Sequence, residues 1–208
     1  MKKFLYISLT LLVALLSSCS ETSNESSEFD NWQQRNDQYY AEIFAKAKAA
    51  ADNGDKSWKV IRSFTKPTTT TAPTDYIVVK VLHDSGLEGN DKRPLATDST
   101  KVHYRGYLMP SDSYNTTVEG YPATVGYQFD SSWYGDYNLG TMTPSRMVPG
   151  EMVNGFTTAL INMHVGDRWL VYLPYVLGYD AVKQESVPAY STLVFDITLL
   201  DCWKKRLK

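Results

Sequence analysis

Few side chains in this chain of 208 residues suit strong acid–base, nucleophilic or metal chemistry. Its three histidines, His83, His103 and His164, fall in no His-Glu-x-x-His run and in no other zinc-type spacing. There is no Gly-x-Ser-x-Gly elbow, phosphate-cradling glycine loop or dinucleotide fingerprint. Asp130-Ser131-Ser132 sets a carboxylate beside hydroxyls, but without a histidine in a recognisable position it reads as a turn cap. Two cysteines make neither a disulfide framework nor a four-thiolate zinc site. Aromatic residues are abundant instead, with 15 Tyr, 7 Phe and 5 Trp, enough for a core and an apolar pocket. The expected chemistry needs no strong acid or base, no metal and no cofactor.

The elements that must position such a pocket are legible in the periodicity. Asp30 to about Ala51 reads as a helix, with Asp30 as N-cap, Trp32, Tyr39, Ile43 and Ala47 on one face, and Asn53-Gly54-Asp55 as the stop. Trp58 to Phe64 is a short strand, and Lys66 to Thr74 a breaker-rich connector. Strands follow at Tyr76–Leu82 and at Lys101–Leu108, the second with Val102, Tyr104, Gly106 and Leu108 on one face. After a polar, tyrosine-rich insert from Met109 to Tyr127, one good helix spans about Met152 to Met163. Val153, Phe156, Leu160 and Met163 form its stripe, and Gly166 lies past its end. The last strands are Arg168–Leu173 and Thr192–Leu200, where Leu193, Phe195, Ile197 and Leu199 share a face. Strands wrapped on one helix make an α+β domain. The net charge of −2 excludes the basic footprint of a dedicated nucleic-acid binder.

The N-terminus carries a different message. Lys2 and Lys3, an apolar or small run from Phe4 to Leu16, and Leu16-Ser17-Ser18-Cys19 make a secretory signal that resembles a bacterial lipobox. The run is shorter than the roughly 20 residues of a membrane-spanning helix. The resemblance implies cleavage before Cys19 and lipidation there, which anchors the protein to a membrane on the periplasmic side or at the outer surface. The Ser, Glu, Thr and Asn residues that follow read as a solvated tether, similar to surface-export signals of some Bacteroidetes lipoproteins. The expected organisation is a signal peptide at 1–18, a tether at 19–29, an N-terminal helix and connector at 30–74 and a folded domain at 75–203. Cys202, among Leu199, Leu200 and Trp203, reads as a buried, inert thiol.

Four stretches in that last domain resemble the FKBP-type peptidyl-prolyl isomerases in order and spacing. They are Val102-His103-Tyr104-Arg105-Gly106, Phe129-Asp130-Ser131-Ser132, and Glu151 through Phe156. The fourth joins Val165-Gly166-Asp167-Arg168 to the ending Val187 through Asp196. The resemblance implies a bent antiparallel sheet wrapped around one short helix, with a proline-binding hollow between them and proline-containing polypeptides as partners. It implies aromatic walls from Tyr104, Phe129 and Phe195, a floor at Phe156 where many members carry Trp, and an apolar flap residue at Val187. The rim segment is Glu151, Met152 and Val153, with the Glu151 carbonyl at its edge and the Val153 N–H offered to a substrate carbonyl. Tyr179 matches the ligand-bonding tyrosine and Asp130 the carboxylate against the pocket. Asp130, Tyr179 and Phe195 are thus the expected catalytic residues, and folding of exported proteins the expected role.

The chain departs from the family at three places. Tyr179-Asp180 stands for the usual Tyr-Gly, no aromatic occurs at Pro144–Val148, and the Met109–Tyr127 insert is placed to cover or extend the site. These leave two other readings open: a catalytically weak binding module of the same fold, and a glycan-binding lipoprotein using Tyr114, Tyr121 or Tyr134. The N-terminal helix either forms a homodimer, favoured if Trp32, Tyr39, Tyr40 and Phe44 are exposed, or packs on its own domain.

Overall fold

A computed structural model describes residues 28–89 and 91–205. The signal peptide and the lipidation expected at Cys19 lie outside the described residues. Helix α1 (Trp32–Asp52) is followed by strands β1 (Trp58–Arg62), β2 (Tyr76–His83) and β3 (Asp98–Tyr107). The insert holds two short strands, β4 (Thr116–Thr117) and β5 (Thr124–Val125). After β6 (Gln128–Ser131) and β7 (Ser145–Met147) come helix α2 (Asn154–Asn162) and strands β8 (Arg168–Leu173) and β9 (Leu193–Lys204). All pairings are antiparallel, in the order β1-β2-β8-β9-β3-β6, and β7 shares the outer edge of β3 with β6. The architecture is the expected α+β one.

Strands alternate their side chains between two faces, and here both faces are buried. On the front, α2 packs over Ile77, Val79, Val102, Trp169, Val171 and the 193, 195, 197, 199 series of β9. Gly155 makes this close, since a Cβ there would lie 2.6 Å from Leu173 Cδ2. The rear holds a second core of Val78, Tyr107, Leu170, Tyr172 and Val194. It is roofed by α1 through Tyr40 and Ala47, and by the insert through Val118, Ala123 and Val125. The apolar anchors of the insert therefore lie on the rear face. Of the two placements open to the insert, covering or extending the site, this anchoring does not favour covering: its few apolar residues pack on the rear sheet face. Strands β3 and β9 also run longer than periodicity suggested. Asp98–Lys101 pairs with Asp201–Lys204, extending the ladder into charged sequence that carries no apolar alternation.

Helix α1 starts at Trp32 and is preceded by Asn31 in a left-handed backbone conformation (φ 52°), where Asp30 had been the expected cap. It belongs to the same unit as the sheet. Its attachment centres on Asn36, which is fully buried. The Asn36 Oδ1 accepts from the Thr192 N–H (2.7 Å), its carbonyl accepts from Thr192 Oγ1 (3.3 Å), and its Nδ2 donates to the Trp32 carbonyl (2.8 Å). One turn earlier, Trp32 Nε1 donates to Ser191 Oγ at 2.9 Å. Trp32 and Tyr40 are only 7% and 3% exposed, so the aromatic face is used within the chain.

Burying the rear face obliges its polar residues to pair. Arg168 grips Asp196 with Nε to Oδ1 at 3.0 Å and Nη2 to Oδ2 at 2.6 Å, and stacks 3.8 Å from the centre of the Tyr137 ring. His103 is 1% exposed, sits edge-on to Trp133, and its Nδ1 has no partner. Cys202 is buried as expected, and burial pushes its thiol up, away from the reactive thiolate.

Two outcomes follow from this packing. Asn36→Ala strands the buried Thr192 N–H and should cost about 2–3 kcal/mol, seen as a melting temperature lower by about 4–12 °C. An unchanged melting temperature would mean that α1 is dispensable to the fold. Burial also holds the His103 imidazole below its ordinary value, so the unfolded chain takes up that proton at higher pH than the folded one. The His103 contribution is complete above a pH of about 6.5 and is lost as pH falls through the folded-state value. Urea unfolding at pH 7.5 and 5.5 should show this loss in the wild type and a smaller one in His103→Gln; equal losses would exclude His103 as its source.

Candidate functional site

The expected pocket residues meet on the front face, and a break in strand register brings two of them there together. Gly106 pairs with Asp130, but the next pair is Tyr107 with Gln128, so Phe129 is an extra residue in β6. Such a bulge lets neighbouring side chains share a face that strict alternation would deny one of them. Phe129 and Asp130 both reach residues of the front face, Phe195 and Tyr104 respectively. Gly106 leaves the necessary room, since a Cβ there would lie 2.6 Å from Phe129 Cζ and 2.8 Å from Phe195 Cε1. The sequence reading placed Gly106 on the right face but missed this role, because a small residue in a strand shows its purpose only when the facing rings are known.

Phe195 on β9 is the hub. Its ring centre lies 5.0 Å from Phe156 at 86°, 5.6 Å from Phe129 at 84° and 6.5 Å from Tyr104 at 54°. Tyr104 and Phe156 are also edge to face, 6.0 Å apart. Aromatic quadrupoles favour such arrangements over parallel stacking. Phe156 and Phe195 are buried, whereas Tyr104 and Phe129 remain partly open to solvent. Val187 is buried in the same core, and Met152, Val153 and Tyr179 pack partly exposed against it.

The polar groups are few and directional. Tyr104 donates its hydroxyl to Asp130 Oδ2 at 2.8 Å, and the Ser131 N–H donates to Asp130 Oδ1 at 2.8 Å. Burial raises the Tyr104 phenol, and the hydrogen bond and charge of Asp130 raise it further. Burial and then the Asp130 charge do the same for Tyr179, so both phenols stay protonated donors at neutral pH. Among the described residues, the Tyr179 hydroxyl, the Val153 N–H and the Glu151 carbonyl have no hydrogen-bond partner. The Glu151 side chain is engaged by Lys205 (2.7 Å), which leaves its carbonyl at the rim.

Two of the three departures are absorbed. Asp180 takes a left-handed backbone (φ 55°), a conformation free to glycine and tolerated by aspartate. Its N–H bonds the Tyr175 carbonyl and its own carbonyl accepts from Tyr190, both at 2.9 Å, so the turn carrying Tyr179 closes. Where an aromatic was missing, β7 pairs with β3 and places Met147 partly buried against the front core. Elsewhere, Asp84, His164 and Asp167 bring ligand-type atoms within 4.8 Å of one another. Asp167 is already held by the Ser85 and His164 N–H groups, while Lys59 sits at Asp84 and Arg93 donates to His164 Nε2. The cluster locks a turn and has internal cations.

Comparison with known proteins bears on this arrangement. The profile of the FKBP-type peptidyl-prolyl cis-trans isomerase family matches residues 90–200. The macrophage infectivity potentiator of Trypanosoma cruzi is 30% identical over 136 residues, covering 65% of this chain and 57% of that protein. The FKBP-type peptidyl-prolyl cis-trans isomerase FkpA of Aeromonas hydrophila is 32% identical over 123 residues, 56% of this chain and 38% of that one. The chain thus spans about half the length of these curated relatives. A solved peptidyl-prolyl cis-trans isomerase from Pseudomonas syringae shares the fold, with a TM-score of 0.50 at 20% identity over 79% of this chain and 91% of that one. A profile match over more than half of its length means that the chain belongs to the FKBP-type peptidyl-prolyl cis-trans isomerase family.

Proposed function

We propose that this chain isomerises Xaa–Pro bonds in exported polypeptides and assists their folding while held to a membrane by lipid on Cys19. The observation that carries the catalytic part is the cluster of Tyr104, Phe129, Phe156 and Phe195 on the front face, with Tyr104 and Phe129 only partly buried. A prolyl peptide bond resists rotation by about 18–20 kcal/mol because amide resonance favours the planar form. Resonance separates charge, so water stabilises the planar state more than the twisted one. A proline ring held over Phe156, against the Phe129 and Phe195 rings, leaves that solvent behind. The Val153 N–H and the Tyr179 hydroxyl are donors for the flanking carbonyls, and Asp130 is oriented by Tyr104 and the Ser131 N–H. Each 1.4 kcal/mol removed from the barrier is about tenfold in rate.

Lipid attachment rests on Lys2, Lys3, the apolar run and Leu16-Ser17-Ser18-Cys19, with the periplasmic side or the outer surface as the location. For α1 we favour bracing over dimerisation, supported by the burial of Trp32 and Tyr40 against the same chain.

The detergent-solubilised full chain should accelerate cis-to-trans relaxation of short Leu-Pro and Phe-Pro peptides. Asp130→Ala and Phe195→Ala, with folding checked by circular dichroism, should each lower kcat/KM by about tenfold or more. A folded wild type that leaves the relaxation unchanged would sink the enzymatic reading. Gly106→Ala adds no polar change but forces Phe129 and Phe195 apart, an overpacking of about 1–3 kcal/mol, and should lower kcat/KM by about tenfold. Wild-type activity in that variant would mean that the ring spacing is not critical.

A further inference from the structure

The insert is anchored behind the sheet, yet its two ends carry rings on the opposite side. Tyr127, just ahead of β6, lies opposite Leu108, with the Leu108 N–H donating to the Tyr127 carbonyl and the Gly126 N–H to the Leu108 carbonyl, both at 2.9 Å. Leu108 belongs to the front core, and Gln128 pairs with rear-facing Tyr107, so Tyr127 stands on the same face as Phe129. Tyr114 completes a pair, its ring centre 5.0 Å from that of Tyr127 and inclined at 72°. The two remain 47% and 38% exposed.

Both rings are held by backbone structure. Tyr114 sits in a turn in which its carbonyl accepts from the Ser111 N–H at 2.9 Å, and its own N–H reaches Ser111 Oγ at 3.3 Å. Tyr127 follows Gly126, where a Cβ would meet the Met109 carbonyl oxygen at 2.0 Å, so the chain can pass only with glycine there. Val118 and Val125, buried at 3% and 0%, pin the intervening hairpin to the rear core. Rings that are exposed, paired and preset lose little freedom on meeting an apolar side chain, which suits them to recognition.

We propose that Tyr114 and Tyr127 form an accessory subsite for a large apolar or aromatic side chain two residues from the isomerised proline. The occupant follows from continuity with the proline pocket. Tyr127 lies two residues before Phe129, so across the bulge their Cα atoms stand at most about 7 Å apart. An extended polypeptide repeats its same-face side chains at that spacing, so a chain with its proline against Phe129 brings the second residue onto the tyrosine pair. The insert then contributes specificity beside the pocket without roofing it. This inference rests on the isomerase reading of the pocket.

The test uses the solubilised full chain and proline peptides carrying Phe or Ala two residues before, or two residues after, the proline. In one of the two series, kcat/KM for Phe should exceed that for Ala by about three- to tenfold, the scale of one aromatic contact. Tyr114→Ala and Tyr127→Ala should each reduce that ratio towards one while leaving turnover of the Ala peptide unchanged. Tyr127→Phe keeps the ring and should keep the ratio, which separates lost contact from lost folding. Asp130→Ala should lower both peptides equally and preserve the ratio. A ratio near one in both series for the wild type, or a ratio that survives both alanine variants, overturns the subsite. If no peptide is turned over, binding of the same peptides by fluorescence anisotropy decides separately. Tighter Phe binding lost in the tyrosine variants upholds the subsite while the isomerase reading fails, and equal binding overturns it.

Discussion

The structure depends on one ladder, the antiparallel pairing of β3 with β9 from Asp98–Lys204 to Tyr107–Val194. Because side chains alternate along both strands, the ladder commits two faces at once. In front it aligns Tyr104 and Gly106 with Ile197 and Phe195, where the ring cluster is assembled. Behind, it places His103, buried edge-on to Trp133, beside Thr198, and Arg105, over the Trp133 ring, beside Asp196. An apolar front and a rear that joins a second apolar core to the Arg168–Asp196 pair are consequences of the same register. Shifting it by one residue would exchange the two, burying charge in the pocket and exposing its rings.

The site is then a local exception to that alternation. The extra residue at Phe129 lets a ring and a carboxylate, adjacent in sequence, act on the same side of the sheet. The absent side chain at Gly106 admits the rings of Phe129 and Phe195. The proposed catalysis by desolvation asks for little else: rings that exclude water, and donors that have no internal acceptor. Tyr179 and the Val153 N–H satisfy the second requirement because the folded chain leaves them unclaimed.

Helix α1 lies outside the stretch that identifies the family and the insert lengthens it, yet both are part of the working fold. Asn36 binds the backbone of Thr192, three residues before Phe195, so the helix stiffens the approach to the pocket hub. The insert closes the rear core and brings Tyr114 and Tyr127 alongside β6. A sheet that is covered on both faces has β9 buried from Leu193 to Leu199 on both sides, which accounts for a strand richer in apolar residues than simple alternation requires.

Much of this was determined by the sequence alone. Period-two runs marked β2, β3, β8 and β9, a period near 3.6 marked both helices, and the order of four short stretches marked the family. These are local patterns, written within a few residues of one another. Tertiary structure decided what depends on distant partners. The bulge at Phe129 exists only against Gly106, the need for Gly106 arises only from Phe195, and the rear core appears only when Tyr40, Val118 and Val194 are brought together. Asp180 looked like a departure in sequence, but its left-handed backbone shows that aspartate fills the turn that glycine would. Pairing register and the packing of two faces are non-local quantities, and no window of neighbouring residues contains them.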